Sequence, residues 1–363
     1  MSQGLDDVIA AETRLSSVDG AQGVLVVKGF SLDQIAGQKP FEQVAHLLFE
    51  GLLDGLPDAN TFAARLGAAR AEIYPLAQYI DDALLALPPM DGVRALTARI
   101  EDGEDVTTAL RLLAAPAVLL PAFLRRRRGL APIAPNAKAG HAADMLHMLT
   151  GEVPAPEVAA ALDTYLVTVA DHGLNASTFA ARVVASTWSG LTSSVLAGLA
   201  ALKGPLHGGA PGPIIAMLDG IGKPENAESW IEDALDRGDR LMGFGHRIYK
   251  VRDPRADALK AAVKRMSGDS SVLPGRLKLA EAVERAALKV LHQRKPDRPL
   301  DVNVEFYTAL LLEALGFPPD AFTAVFATGR TAGWLAHARE QRCTGRLIRP
   351  QSVYVGAEPA ELV

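Results

Sequence analysis

The chain has 363 residues, 49% hydrophobic and 22% charged, a composition that supplies a large core and excludes a disordered polymer. Its 37 Lys and Arg face 42 Asp and Glu for a net charge of −5, so nucleic acid finds no broad basic surface and an anionic ligand has to be held locally. A lone cysteine, Cys343, rules out an intrachain disulfide framework, and with no charged-then-apolar leader at Met1 the expected setting is a reducing cytoplasm.

In chain order, only Gly23 to Gly29 has the β-branched density and glycine bracketing of a strand, while helical spacing of apolar residues recurs almost everywhere else; the predicted class is mostly α. Pro40 through Leu53 places Phe41, Val44, Ala45, Leu48 and Leu52 at helical intervals. The longest apolar run, Leu112 to Leu124, is shorter than the ~20 residues of a membrane span and is interrupted by Pro116 and Pro121, so no membrane segment is expected. Arg125 to Arg128 reads as a solvated face, or else as a dock for phosphate or an acidic helix.

Ala155 to Val169 repeats the helical pattern and halts at Asp171-His172-Gly173. Asn175 or Ser177 then caps a helix predicted to run to about Ala201, apolar or small nearly all round, which suits a central core helix or a subunit-interface helix. After Gly204 the texture changes to Gly, Pro and charge, and a second domain is expected there. The last helices, Val304 to Leu315 and Ala321 to about Gln341, return to the style of the first half.

Two stretches carry candidate chemistry. Gly204-Pro205-Leu206-His207-Gly208-Gly209-Ala210 sets one imidazole in a tight backbone before a helix opening near Pro213; His207 is either a neutral donor to a developing oxyanion or a histidine satisfied in a turn. Gly243 to Arg255 (GFGHRIYKVRDPR) gathers His246 with several cations, the makings of an anion site. It lacks the third spaced glycine of a dinucleotide fingerprint and the Lys-Ser/Thr of a phosphate-binding loop.

GPLHGGA followed about forty residues later by GFGHRIYKVRDPRA, with ADHGLNASTF upstream and NVEFYTALLLEALG downstream, resembles the citrate synthase family. The similarity reaches the start of the chain, through AAETRLSSVDGAQG and VVKGFSLDQIA, and the length suits the shorter bacterial form. The resemblance implies a mostly helical homodimer. Its large domain would take residues 1–208 and 310–363, with a smaller mobile domain, 209–309, closing over the site. It implies oxaloacetate and acetyl-CoA, or propionyl-CoA, as substrates, with no tightly bound cofactor and no metal.

By motif position, His207 resembles the histidine that stabilises the acyl-CoA enolate and His246 the one that protonates the oxaloacetate carbonyl. His172 resembles a further oxaloacetate contact. Arg255 and Arg330 match arginines that hold its carboxylates, Arg349 the arginine donated across the dimer, and Lys250 a basic residue near CoA. Arg125 to Arg128 are a further candidate for the CoA phosphates.

The sequence departs from the family pattern at the base, where Asn-Val-Asp is replaced by Asn303-Val304-Glu305. The extra methylene lengthens the reach of the carboxylate by ~1 Å, a displacement that costs on the order of 100-fold in rate unless the backbone retreats. Pro211 stands where the family usually has asparagine. The expected reaction is condensation of acetyl-CoA with oxaloacetate to citrate. The alternatives are 2-methylcitrate synthesis from propionyl-CoA, and a slow or non-catalytic paralogue that binds a dicarboxylate or CoA.

Overall fold

The computed structural model describes residues 4–5, 8–208, 212–246, 248–266, 273–296 and 300–356; Pro211 and Arg247 lie outside the described residues. Helices take up 62% of the described residues, in keeping with the mostly α reading. The strand expected near residue 25 is Val24–Val27, the middle of a three-stranded antiparallel sheet with Ser16–Asp19 and Phe30–Ser31 on its two sides. Ser16 pairs with Val27 and Asp19 with Val24, so a hairpin turns at Gly20–Gly23.

That hairpin ties distant parts of the chain together. Ser16 Oγ donates to Asp171 Oδ2 at 2.5 Å and accepts from the Gly173 amide at 2.7 Å, while the Gly20 carbonyl accepts from the Lys250 amide at 2.8 Å. A Cβ on Gly20 would lie 2.3 Å from the Ile248 carbonyl oxygen, so only glycine allows this approach.

The core is one continuous apolar cluster built on two long helices, Val106–Arg127 and Phe322–Thr344. Pro116 and Pro121, expected to break the apolar run, sit inside the first of these helices, both buried. By length and composition this helix is apolar enough to cross a membrane. Here its apolar positions from Leu112 to Leu124 are covered by protein, as in a central core helix. The four arginines at its end are engaged: Arg127 makes a two-pronged ion pair with Asp320 at 2.6 and 3.0 Å, and the other three donate to backbone carbonyls.

The helix expected from residue 175 to 201 is two helices, Ala176–Ser186 and Leu191–Leu202. Trp188 (φ +71°) and Gly190 (φ +100°) turn the chain between them. Asp102 stabilises the break by accepting from the Thr192 and Ser193 amides at the start of the second helix. Both helices pack on Phe322–Thr344.

Candidate active site

Oxygen-seeking donors gather where four separate stretches meet. The first is the loop after helix Pro156–Val169, which carries His172. Asp171 anchors it, accepting from His337 Nε2 at 3.1 Å in the core. His337 Nδ1 faces the Arg182 guanidinium at 2.9 Å, and since arginine only donates, the ring proton of a neutral His337 lies on Nε2, toward Asp171. The next residue, His172, is buried, with Nε2 at 3.1 Å from the Tyr249 hydroxyl. Burial first, and then the nearby Arg255 and Arg330, hold His172 neutral, well below its ordinary pKa.

The second stretch, Gly243 to Arg255, is fixed against the start of helix Val304–Ala314 by a small antiparallel ladder. The Asn303 amide donates to the Gly243 carbonyl at 3.0 Å, the Gly245 amide to the Asp301 carbonyl at 2.7 Å, and Asn303 Nδ2 to the Gly245 carbonyl at 2.8 Å. Gly243 and Gly245 both have positive φ, +87° and +80°. Side chains there would strike Phe306 and Leu300. This ladder is why His246 and Glu305, far apart in sequence, belong to one site.

His246 Nδ1 accepts from the Ile248 and Tyr249 amides at 3.0 and 3.1 Å, which puts the proton of the neutral ring on Nε2. Burial and the Arg255 charge lower its pKa to about 4. Nε2 in turn lies 3.2 Å from Arg255 Nη2. Two donors therefore converge with no acceptor between them.

Arg255 is itself held by Asp253, Nε to Oδ1 at 3.0 Å and Nη2 to Oδ2 at 2.8 Å, and Asp253 Oδ2 also accepts from the Val304 amide. Asp253 thus links the arginine to the helix that bears Glu305. Asn303 caps that helix, its Oδ1 accepting from the Glu305 amide at 3.0 Å. Glu305 sits in the first turn with its pKa raised to about 7, because desolvation outweighs the Arg255 and Arg330 charges that favour the carboxylate.

The third stretch brings His207. Its Nε2 lies 2.8 Å from Ser177 Oγ and accepts from the Ser177 amide at 3.4 Å, leaving Nδ1 to carry the ring proton. Ser177 Oγ also accepts from Trp334 Nε1 at 3.1 Å. Burial, reinforced by Arg330, lowers the His207 pKa to about 4, so the ring is a neutral donor.

The fourth is Arg330, in the long helix Phe322–Thr344. It is 2% exposed, its Nε donates to the Val169 carbonyl at 2.6 Å, and it makes no ion pair among the described residues. Burial lowers its pKa to about 10, which leaves it charged at neutral pH. A buried guanidinium without a carboxylate partner is costly unless an anion arrives to complete it.

His172, His246, Arg255, Glu305, Arg330 and His207 therefore share one electrostatic neighbourhood. Lys250 lies on its rim, exposed, and its charge adds to the depression of the His246 pKa. Arg349 does not join the site of its own chain; it is exposed in the segment after helix Phe322–Thr344. The motifs did not point to Tyr249, Asp253, Ser177 or Trp334, which become functional neighbours only through the fold.

The residues from 4 to 351 match the family model described as citrate synthase, C-terminal domain. The chain belongs to the citrate synthase family. It is 36% identical to the citrate synthase of Haloferax volcanii, over 98% of this chain and 96% of that one, and 36% identical to citrate synthase 2 of Bacillus subtilis, over 100% and 98%. Among solved structures it resembles citrate synthase from Thermotoga maritima, with a TM-score of 0.84, 32% identity and coverage of 100% and 98%. It also resembles the citrate synthase of Thermoplasma acidophilum in ternary complex with carboxymethyl coenzyme A and oxaloacetate, with a TM-score of 0.83, 31% identity and the same coverage. The protein is an enzyme of the citrate synthase type.

Proposed function

We propose that this citrate synthase family member condenses acetyl-CoA with oxaloacetate to give citrate and free CoA. The observation that carries the reading is the convergence of buried cationic and imidazole donors on one place. Arg330 is buried with no carboxylate partner among the described residues, and Arg255 Nη2 and His246 Nε2 lie 3.2 Å apart. An oxo-acid dianion suits these groups, offering carboxylate oxygens to the arginines and a carbonyl oxygen to His246.

Glu305 removes a proton from the thioester methyl group while the His207 Nδ1–H donates to the enolate oxygen. The enol carbon attacks the oxaloacetate carbonyl and forms the new C–C bond as His246 Nε2 transfers its proton to the carbonyl oxygen. Water then cleaves the citryl-CoA thioester. A well-aimed oxyanion donor contributes ~3 kcal/mol and each general acid or base step ~10²–10⁴-fold. A base with pKa near 7 suits proton abstraction at neutral pH better than an ordinary carboxylate would.

In this reading residues 209–309 close over the site as a smaller domain, Lys250 meets CoA, and a second copy of the chain supplies Arg349, which is exposed on its own protomer. The setting is the cytoplasm and the assembly a homodimer.

The test is thiol release by the purified protein with oxaloacetate and either acetyl-CoA or propionyl-CoA. Faster release from acetyl-CoA supports the proposal. A preference for propionyl-CoA replaces it with 2-methylcitrate synthesis, a distinction worth ~1–3 kcal/mol in a pocket that differs by one methyl group. Release from neither, with oxaloacetate still raising the melting temperature, leaves a dicarboxylate-binding protein instead.

A further inference from the structure

The interior holds a phenol that this reaction scheme does not use. Tyr165, near the end of helix Pro156–Val169, is fully buried, and its hydroxyl has no hydrogen-bond partner among the described residues. Buried hydroxyls are nearly always paired, because a donor taken out of water and left unmet forfeits the bond it had there. The position therefore calls for an acceptor.

The packing indicates which one. The Tyr165 helix lies against three others, each bringing one charged residue of the site: Pro254–Met266 with Arg255, Val304–Ala314 with Glu305, and Phe322–Thr344 with Arg330. Approach to the last is close, since a Cβ on Gly329 would lie 2.7 Å from the Leu166 carbonyl oxygen. One turn beyond Tyr165, the Val169 carbonyl holds Arg330. Of the three charged groups only Glu305 can accept a hydrogen bond; guanidinium groups solely donate. Among the charged groups Glu305 acts most strongly on the phenol and opposes its ionisation, whereas Arg330 and Arg255 favour it.

We propose that Tyr165 is a positioning residue whose hydroxyl donates to the Glu305 carboxylate when substrate closes the cleft, aiming the base at the acyl α-carbon. The proposal rests on Glu305 acting as the base. The extra methylene of glutamate adds a rotatable bond relative to the aspartate of the family pattern. A fixed donor in the wall selects one rotamer of that longer side chain, the geometric control that proton transfer requires.

The experiment compares wild type, Tyr165→Phe and Glu305→Gln by kcat and KM across the pH range. Tyr165→Phe removes an unpartnered hydroxyl and keeps the ring, so its melting temperature should equal or exceed that of wild type. Its kcat should fall by about tenfold. The acid limb of its kcat profile should move up by about one pH unit, since a donor that favours the carboxylate is gone. KM for oxaloacetate should stay within about twofold. Site-specific 3-fluorotyrosine at 165 keeps the hydroxyl and strengthens it as a donor, so it should move the limb the other way; this arm does not depend on the Phe variant folding.

An unmoved limb overturns the proposal, whether kcat is unchanged or the loss appears as a raised KM for oxaloacetate, which would assign the hydroxyl to substrate. Glu305→Gln separates this failure from that of the underlying reading. If it is inactive while the Tyr165→Phe limb stays in place, only the role of Tyr165 falls. If it turns over like wild type, the base assignment falls and the role of Tyr165 with it.

Discussion

Arg255 Nη2 lies 3.2 Å from His246 Nε2, with the arginine also bound to Asp253 at 2.8 Å. With the ring proton on Nε2, neither group accepts from the other, so both can donate to one anionic oxygen. Replacing Arg255 by Leu should weaken oxaloacetate binding by about ten- to a hundredfold, the equivalent of a charge-assisted hydrogen bond of ~1.5–3 kcal/mol. Isothermal titration with oxaloacetate alone checks this; an unchanged Kd would remove Arg255 from the substrate site.

Burial raises the Glu305 pKa to about 7, and this sets the pH response of both rate and stability. The base must be ionised to abstract a proton, so kcat should climb as pH rises and level off above about 7. For stability the sign is opposite. A carboxyl group that holds its proton more tightly when folded stabilises fully below the unfolded value near 4.5 and loses that contribution as pH rises through 7. Glu305→Gln mimics the protonated form, so it should be more stable than wild type at pH 8 by up to about 3 kcal/mol, with little difference at pH 4. Urea melts of the two proteins at both pH values decide the point.

Four buried or half-buried histidines, His141, His172, His207 and His246, are held below their ordinary pKa, chiefly by burial. The unfolded chain binds protons at these positions before the folded protein does, so their contribution is present above pH 6.5 and is lost as pH falls toward 4. Glu305 and Asp163, both raised to about 7 by burial, act in the opposite direction over the same range, but they are outnumbered. Stability should fall on acidification near pH 5 by roughly 2 kcal/mol per pH unit. Chemical melts between pH 7 and 4.5 check it; flat stability would show that these rings are not held neutral.

Ser177 joins two rings, its Oγ at 3.1 Å from Trp334 Nε1 and 2.8 Å from His207 Nε2. Ser177→Ala leaves the indole N–H buried and unpaired, at a cost of ~1–3 kcal/mol in stability. It also removes one of the two contacts at His207 Nε2, so kcat should drop while KM for oxaloacetate holds. Trp334→Phe removes the orphaned donor and, in the Ser177→Ala background, should recover part of the lost stability. Thermal melts and steady-state kinetics on both variants separate these effects.

The motif blocks made the chemical inventory legible before any coordinates. His172, His207, His246, Arg255, Glu305 and Arg330 lie in five short stretches, two of which suggest an oxyanion donor and an anion site by residue type, while the family resemblance supplies the remaining expected roles. The support around them was not legible, because Tyr249, Asp253, Ser177 and Trp334 are polar or aromatic residues of ordinary appearance until the fold faces them inward. Local structure failed where tertiary contacts override propensity. The strand Ser16–Asp19 is mostly polar and gains its partner from Val24–Val27, and Pro116 and Pro121 persist in a helix enclosed by neighbours. The break at Trp188 was invisible because its cap, Asp102, comes from elsewhere in the chain.

The amino-terminal hairpin has two moorings. Ser16 is fastened beside His172, and the carbonyl of Gly20 is fastened to the backbone of Lys250, four residues past His246. Any swing that separates those histidines must stretch or release a splint whose slack is only the few residues between its anchors. The first hairpin therefore couples the stretches of His172 and His246 through residues that precede both by more than a hundred positions.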